Sequence, residues 1–350
     1  MMLIKKKKCV KLKNWNNESF KYFKNYCSTL QNDEDMIKKH FFVSEAVVNG
    51  VVGAIRQSSP SKKGRKPKLN PFEKCVVFLQ FVTGGESFRR TSQRIGVAKT
   101  VISNTVGEVA KSVNENFKQI YLPESPEQWR SVEDSFGRRR LIRSLGCLDG
   151  KHIRIKAPPN SGSLFYNYKH YFSFVLLGLV DGDGRFLWID IGTPGSSSDS
   201  CIFNASTLKS ILEDDDNLPM NQYLDRRTVM PSFIIADGIF RLSKRVMKPY
   251  GGRSGLQADE ILYNKNISNT RVRVEHAFGV LSNRFRILRK EIECEYKNAV
   301  DLVQSLCHLH NAMIQPNSSS YSFIVEEIDT YPYSDAKSQQ QALKDFFNDN

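Results

Sequence analysis

Leu145-Gly146-Cys147-Leu148-Asp149-Gly150-Lys151-His152-Ile153-Arg154-Ile155 reads as a strand that runs out of apolar residues into a carboxylate. Downstream, residues 172–180 and 186–191 repeat the strand pattern, joined by the turn Asp181-Gly182-Asp183-Gly184. Residues 200–212 then read as a helix, and residues 232–236 as a short buried strand. From about 259 to 314 the pattern is mainly helical. Hairpins followed by a helical crossover and a further strand predict a mixed α/β fold, its sheet covered by helices.

Upstream of this region the pattern is helical throughout, including a charged segment at 127–143. Pro71 suits a first helical turn, with Phe72, Val76, Leu79 and Phe81 as its apolar stripe. Residues 86–95 and 98–113 follow as two helices separated by Gly96, the pattern of a helix-turn-helix. Ile95, Val97, Ile102 and Val106 close a small core, leaving Lys99, Thr100, Ser103 and Asn104 where base edges are read. The organisation expected is a basic arm with helices over 1–57, a basic linker over 58–70 and a helix-turn-helix region over 71–125. A catalytic core over 140–315 and a polar tail over 316–350 complete it, the tail ending in a short helix near 336–347.

The net charge of +14 is unevenly spread. Residues 1–145 hold 28 Lys and Arg against 13 Asp and Glu, whereas residues 146–350 hold 23 against 24. A basic segment on a neutral body favours nucleic-acid contact, because neutralised phosphates release their counterions. The seven cysteines are scattered and never spaced Cys-x-x-Cys, which argues against a disulfide framework and a zinc finger. Cys307-His308-Leu309-His310 lies in a helical pattern and is assigned to packing. No stretch approaches the roughly 20 apolar residues of a membrane span. The Met1-Met2-Leu3-Ile4 start runs into lysines, not into a secretory apolar run. An intracellular, reducing location is expected.

Acidic residues stand where strands end: Asp149 after Leu148, and Asp237 after Phe233-Ile234-Ile235-Ala236. A carboxylate beside an apolar strand is costly unless a cation or hydrogen bonds compensate it. Two such carboxylates on neighbouring strands would repel each other, and hard oxygen ligands suit Mg²⁺ or Mn²⁺. Glu275 lies beside the helical stripe of Val274, Phe278, Leu281, Phe285 and Leu288, at a boundary from which it can reach a sheet edge. Strand-end aspartates also cap turns and helix glutamates are usually solvated, so spacing leaves both readings open.

Five blocks in order resemble the PIF/Harbinger transposases and the Harbinger-derived nucleases. They are Cys147-Leu148-Asp149-Gly150-Lys151-His152-Ile153, Tyr166-Asn167-Tyr168-Lys169-His170-Tyr171-Phe172-Ser173, residues 192–203 around Ser198-Asp199, Ala236-Asp237-Gly238-Ile239-Phe240, and residues 271–281 around Glu275. The resemblance implies a ribonuclease-H-like core with a DDE triad of Asp149, Asp237 and Glu275. Asp199 is implied as an auxiliary metal residue at the start of a crossover helix. Lys151, His152, Arg271 and Arg273 are expected either to contact phosphate or to form surface ion pairs. The implied activity is DNA cleavage and strand transfer with Mg²⁺ or Mn²⁺, in the nucleus with a cytoplasmic share. Double-stranded DNA of transposon terminal repeats, a Myb/SANT-like protein and a second copy of the chain are the expected partners. The alternative is a domesticated, catalytically silent DNA-binding regulator. Ser198 stands where the family commonly has histidine.

Overall fold

In the computed structural model the residues described are 17–58, 69–214, 218–219, 221–223, 229–252, 255–314 and 335–349. The basic N-terminal arm, the basic linker at 59–68 and the polar stretch at 315–334 lie outside them. Three helices, α1 (Asn17–Gln31), α2 (Glu34–Phe41) and α3 (Glu45–Ser58), precede α4 (Pro71–Gly84), α5 (Phe88–Ile95) and α6 (Lys99–Asn116). Asn70 and Glu73 form a capping box at the start of α4, with Pro71 inside its first turn. The two helices expected on either side of Gly96 are α5 and α6. Gly96 takes φ 75°, and a side chain there would meet Ser19 Cβ at 2.7 Å and Phe20 N at 2.8 Å, so α1 closes directly on the turn. Ile95, Val97, Ile102 and Val106 are buried as expected.

Next come α7 (Pro126–Gly137) and the strands β1 (Cys147–Arg154), β2 (Ser173–Val180) and β3 (Phe186–Pro194). They are followed by α8 (Asp199–Asn204), α9 (Thr207–Glu213), the hairpin β4 (Asn221–Tyr223) and β5 (Val229–Pro231), and the two short strands β6 (Ile234–Ile235) and β7 (Val246–Met247). The long α10 (Ala258–Arg284), a 3-10 turn at Arg286–Arg289, α11 (Tyr296–Ala312) and α12 (Ala336–Asp349) close the chain. The five-stranded sheet has the order β3-β2-β1-β6-β7. β1 is antiparallel to β2 and parallel to β6, with Asp149 opposite Gly178 and Cys147 opposite Ile235. A helical region followed by this mixed sheet and its covering helices is the mixed α/β class expected and is consistent with a ribonuclease-H-like core.

Several local expectations change. The helix expected at 127–143 stops at Gly137, and Arg140 turns the chain at φ 55°. The helix expected at 200–212 is two, because the Ser206 hydroxyl accepts from Lys209 N and starts α9 afresh. The strand read at 232–236 shortens to β6, and β7 lies beside it. The stripe from Val274 to Leu288 is buried throughout, but its last two members lie past the end of α10.

Every residue of β2 is buried, so this strand beside β1 is covered on both faces. α11 ties the sheet to the helical region. Asn311 accepts from Phe186 N at 2.9 Å, and it donates to Phe186 O at 2.7 Å and Gln119 O at 2.8 Å. His310 meets Gly184 O at 2.9 Å, while Gln119 N donates to His308 Nδ1 at 3.0 Å. The Cys-His-Leu-His cluster is therefore packing, as its pattern indicated. Replacing Asn311 by Leu strands the buried N–H and C=O of Phe186. It is expected to destabilise the protein by about 1–3 kcal/mol per group left unpaired, read as a lower urea midpoint at unchanged slope. A midpoint equal to that of the parent would contradict the assigned role.

Candidate active site

Four elements bring carboxylates towards one end of β1. Asp149 lies within β1, its side chain 18% exposed; Oδ1 accepts from Gly150 N at 2.9 Å and Oδ2 from Arg271 at 3.2 Å. Asp199 is the first residue of α8, which Ser198 caps by accepting from Cys201 N. Thus the serine that stands where the resembled family commonly has histidine caps the helix. The Asp199 carboxylate rests on Gly150: a Cβ there would lie 2.3 Å from Asp199 Cγ and Oδ2. Only glycine next to Asp149 admits this approach.

Asp237 follows β6 by two residues and accepts from Ile239 N at 3.0 Å. Its turn is held from below by Lys248, which donates to Gly238 O at 2.9 Å and Phe240 O at 2.8 Å. Phe240 is buried edge-on against Phe203 of α8, with centroids 5.8 Å apart, which couples the Asp237 turn to the Asp199 helix. Glu275 projects from α10 and is 45% exposed. α10 is fixed against β1 through Thr270, whose hydroxyl accepts from Ile142 N at 3.3 Å and whose carbonyl accepts from Cys147 Sγ at 3.3 Å.

The electrostatics agree with this convergence. Burial raises the Asp149 carboxyl above its ordinary range, and Asp237 and Glu275 add to the rise against the opposing pull of Gly150 N–H and Arg271. Burial, then Asp149 and Asp237, push Asp199 up to about 6. Each of these acids is thus felt by at least one other, a repulsion that a divalent ion relieves. Hard oxygen donors and the bare Gly150 surface fit Mg²⁺ or Mn²⁺. Among the described residues no three His, Cys, Asp or Glu side chains stand within joint reach of one ion. One reason is visible: Arg271 spans the gap, reaching Asp149 at 3.2 Å and Glu275 at 2.5 Å.

Of the residues expected to touch DNA, Lys151 and His152 continue β1 beyond the acids. Burial and Lys169 depress the pKa of both, and His152 Nδ1 lies 3.0 Å from Ser173 Oγ. Arg271 is committed to two carboxylates, and Arg273 has its Nε buried without a hydrogen-bond partner. Lys99, Thr100 and Asn104 are exposed and Ser103 half-buried at the start of α6, apart from the acids. Ion pairing, one of the two roles left open for Arg271, is the one the structure shows, whereas the bracing by Lys248 was not foreseen. The spacing of Arg271 and Glu275, one helical turn apart, was the available signal for the first.

Residues 148–311 match the family model of the DDE superfamily endonucleases. The chain is 24% identical over 270 residues to the Bos taurus protein named "Putative nuclease HARBI1", spanning 76% of this chain and 73% of that one. The Homo sapiens protein of that name matches equally, at 24% over 270 residues. "Protein ALP1-like" of Arabidopsis thaliana is 25% identical over 248 residues, 69% of this chain and 60% of its own length. No solved structure matches the chain significantly.

Without bound cation, Asp199 keeps its proton in the folded protein up to about pH 6, but in the unfolded chain only to its ordinary 3.8. The folded state therefore binds more protons between these values. The stability this group contributes is present at acid pH and is lost as pH rises through 6. Thermal midpoints in EDTA should show this loss as a shift of roughly a few degrees that D199N removes and Mg²⁺ reverses. A D199N protein with the parent's pH profile would refute the placement.

Proposed function

We propose, from the premise that this chain carries a DDE superfamily endonuclease domain distantly homologous to HARBI1 and ALP1-like proteins, that it cuts DNA with divalent cations held by Asp149, Asp237 and Glu275. The observation that carries this reading is the placement of Asp199 against Gly150 beside Asp149, with Arg271 joining Asp149 to Glu275, inside the stretch that matches the endonuclease family model. Asp199 adjoins the triad across Gly150 and adds negative charge to the cation site. Bound there, a pair of Mg²⁺ or Mn²⁺ ions supplies charge neutralisation and an activated water or 3′-hydroxyl for attack on phosphorus. Asp149 orients the site from the rigid centre of the sheet, and Lys248 keeps the Asp237 turn in place. Arg271 balances Asp149 and Glu275, and Lys151 and His152 extend the site along the strand towards DNA phosphates. The helix-turn-helix would grip double-stranded DNA through Lys99, Thr100, Ser103 and Asn104, with the basic N-terminal segment adding backbone contacts.

The substrate on this reading is DNA of transposon terminal repeats, and the reaction is cleavage followed by strand transfer. A nuclear location, a Myb/SANT-like partner and a second copy of the chain belong to the same proposal. Among the described residues no helix is long and apolar enough to cross a membrane. A second reading, the catalytically silent DNA-binding regulator, is favoured by one observation. Arg271 already supplies a resident positive charge between Asp149 and Glu275.

Nicking of supercoiled DNA in Mg²⁺ or Mn²⁺ separates the two. The nuclease should nick, and Asp149→Ala, Asp237→Asn or Glu275→Gln should each lower the rate by about 10²–10³-fold while gel-shift binding persists. Gel-shift binding without any metal-dependent nicking would favour the regulator. Undiminished nicking by the three variants would reject the assigned carboxylates.

A further inference from the structure

The connection between β1 and β2 presents large apolar side chains to solvent immediately beside the acids. Leu164, Tyr166 and Tyr168 are 53%, 41% and 74% exposed, Tyr168 the most of the three. The segment is not slack. Asn167, only 3% exposed, accepts from Lys169 N at 2.9 Å and Tyr171 N at 3.3 Å through its side-chain oxygen. Its amide donates to Ser173 Oγ at 2.8 Å, and its backbone N–H to Tyr171 O at 3.0 Å. His170 closes the turn at φ 64°, and Phe165 anchors its base against Tyr296 at 5.0 Å. Asn167 thus locks a tight turn whose outer corner is Tyr168.

The surroundings of that corner define what it could receive. The Tyr168 ring stands edge-on to His152, 5.4 Å between centroids, and His152 lies three residues beyond Asp149 on β1. Lys169 Nζ sits 5.3 Å from the Tyr168 centroid, and its charge reaches Lys151, His152 and Asp199. Arg154, 56% exposed, lies 5.3 Å from the Tyr171 ring on the same strand. A preset aromatic surface with cations around it, next to carboxylates, matches a nucleobase outside the duplex stack with phosphates on either side. A fully paired duplex hides its base faces and cannot use such a ring.

We infer that Tyr168, framed by His152 and Lys169, is a stacking platform for an unpaired DNA base beside the bond to be cut. The inference rests on the nuclease reading and deepens it. The site would accept DNA that is locally opened, and it would do so with little base preference, since every base has a face to stack.

The test measures binding of the full chain in EDTA to two fluorescent 30-base-pair duplexes, one fully paired and one with a central three-nucleotide bubble carrying 2-aminopurine. The parent should bind the bubble more tightly and quench the 2-aminopurine. Tyr168→Ala should weaken bubble binding about tenfold, abolish the quench and leave duplex binding within about twofold. Tyr168→Phe, which keeps the ring, should behave as the parent; a circular-dichroism melt checks that both variants fold. Equal loss on both probes, or none on either, overturns the platform; with no loss on either, the ring belongs to a protein contact. If the platform fails while the parent still nicks DNA in Mg²⁺, the nuclease reading survives. No DNA binding by the parent would remove both.

Discussion

Carboxylates crowded beside an apolar sheet cannot all be ionised at little cost, and the core of this protein is arranged around that constraint. Asp149 sits in a strand whose neighbour β2 is buried along its whole length. Asp199, Asp237 and Glu275 arrive from a helix start, a turn and a helix flank. Each of these delivering elements is braced by contacts that do not involve the acids. Phe203 against Phe240 couples two of them, Lys248 holds the turn, and Thr270 pins α10 to β1. The repulsion is thereby imposed by the fold instead of being relaxed by movement of the side chains. Arg271 relieves part of it, and the rest makes the cluster receptive to added positive charge.

Much of this was legible in the sequence because the strongest elements are long and locally consistent. The apolar runs of β2 and β6, the Asp-Gly turn before β3 and the Gly96 turn before α6 each carry their own chemistry. The weaker elements were hidden for physical reasons. β7 is two residues inside Lys244-Arg245-Val246-Met247-Lys248, where surrounding charge masks its burial, and only its pairing with β6 makes it a strand. The hairpin of β4 and β5 likewise exists by pairing. The break between α8 and α9 turned on one serine hydroxyl that competes for the backbone.

For the site, strand ends pointed to Asp149 and Asp237, but nothing in the spacing put Asp199 against Gly150. Family resemblance supplied that residue, and the geometry shows its carboxylate lying where a side chain at residue 150 would begin. Arg271 was read from its charge as either a phosphate contact or an ion-pair partner. Its engagement with two carboxylates is a tertiary fact, since one of them lies 122 residues away in the chain. The Tyr-Asn-Tyr-Lys-His-Tyr block was noticed only as a likeness. Its shape, a turn locked by one asparagine, appears only once the sheet places it beside His152.

The helical region and the sheet share one continuous apolar core, and Asn114 reaches across to Asp301 O at 2.9 Å while Asn311 reaches back to Gln119 O. No flexible tether separates α6 from β1 among the described residues. A protein built this way fixes the offset between the exposed start of α6 and the acids at β1, so that on the proposed reading a duplex held at the first would meet the second at a distance set by protein dimensions.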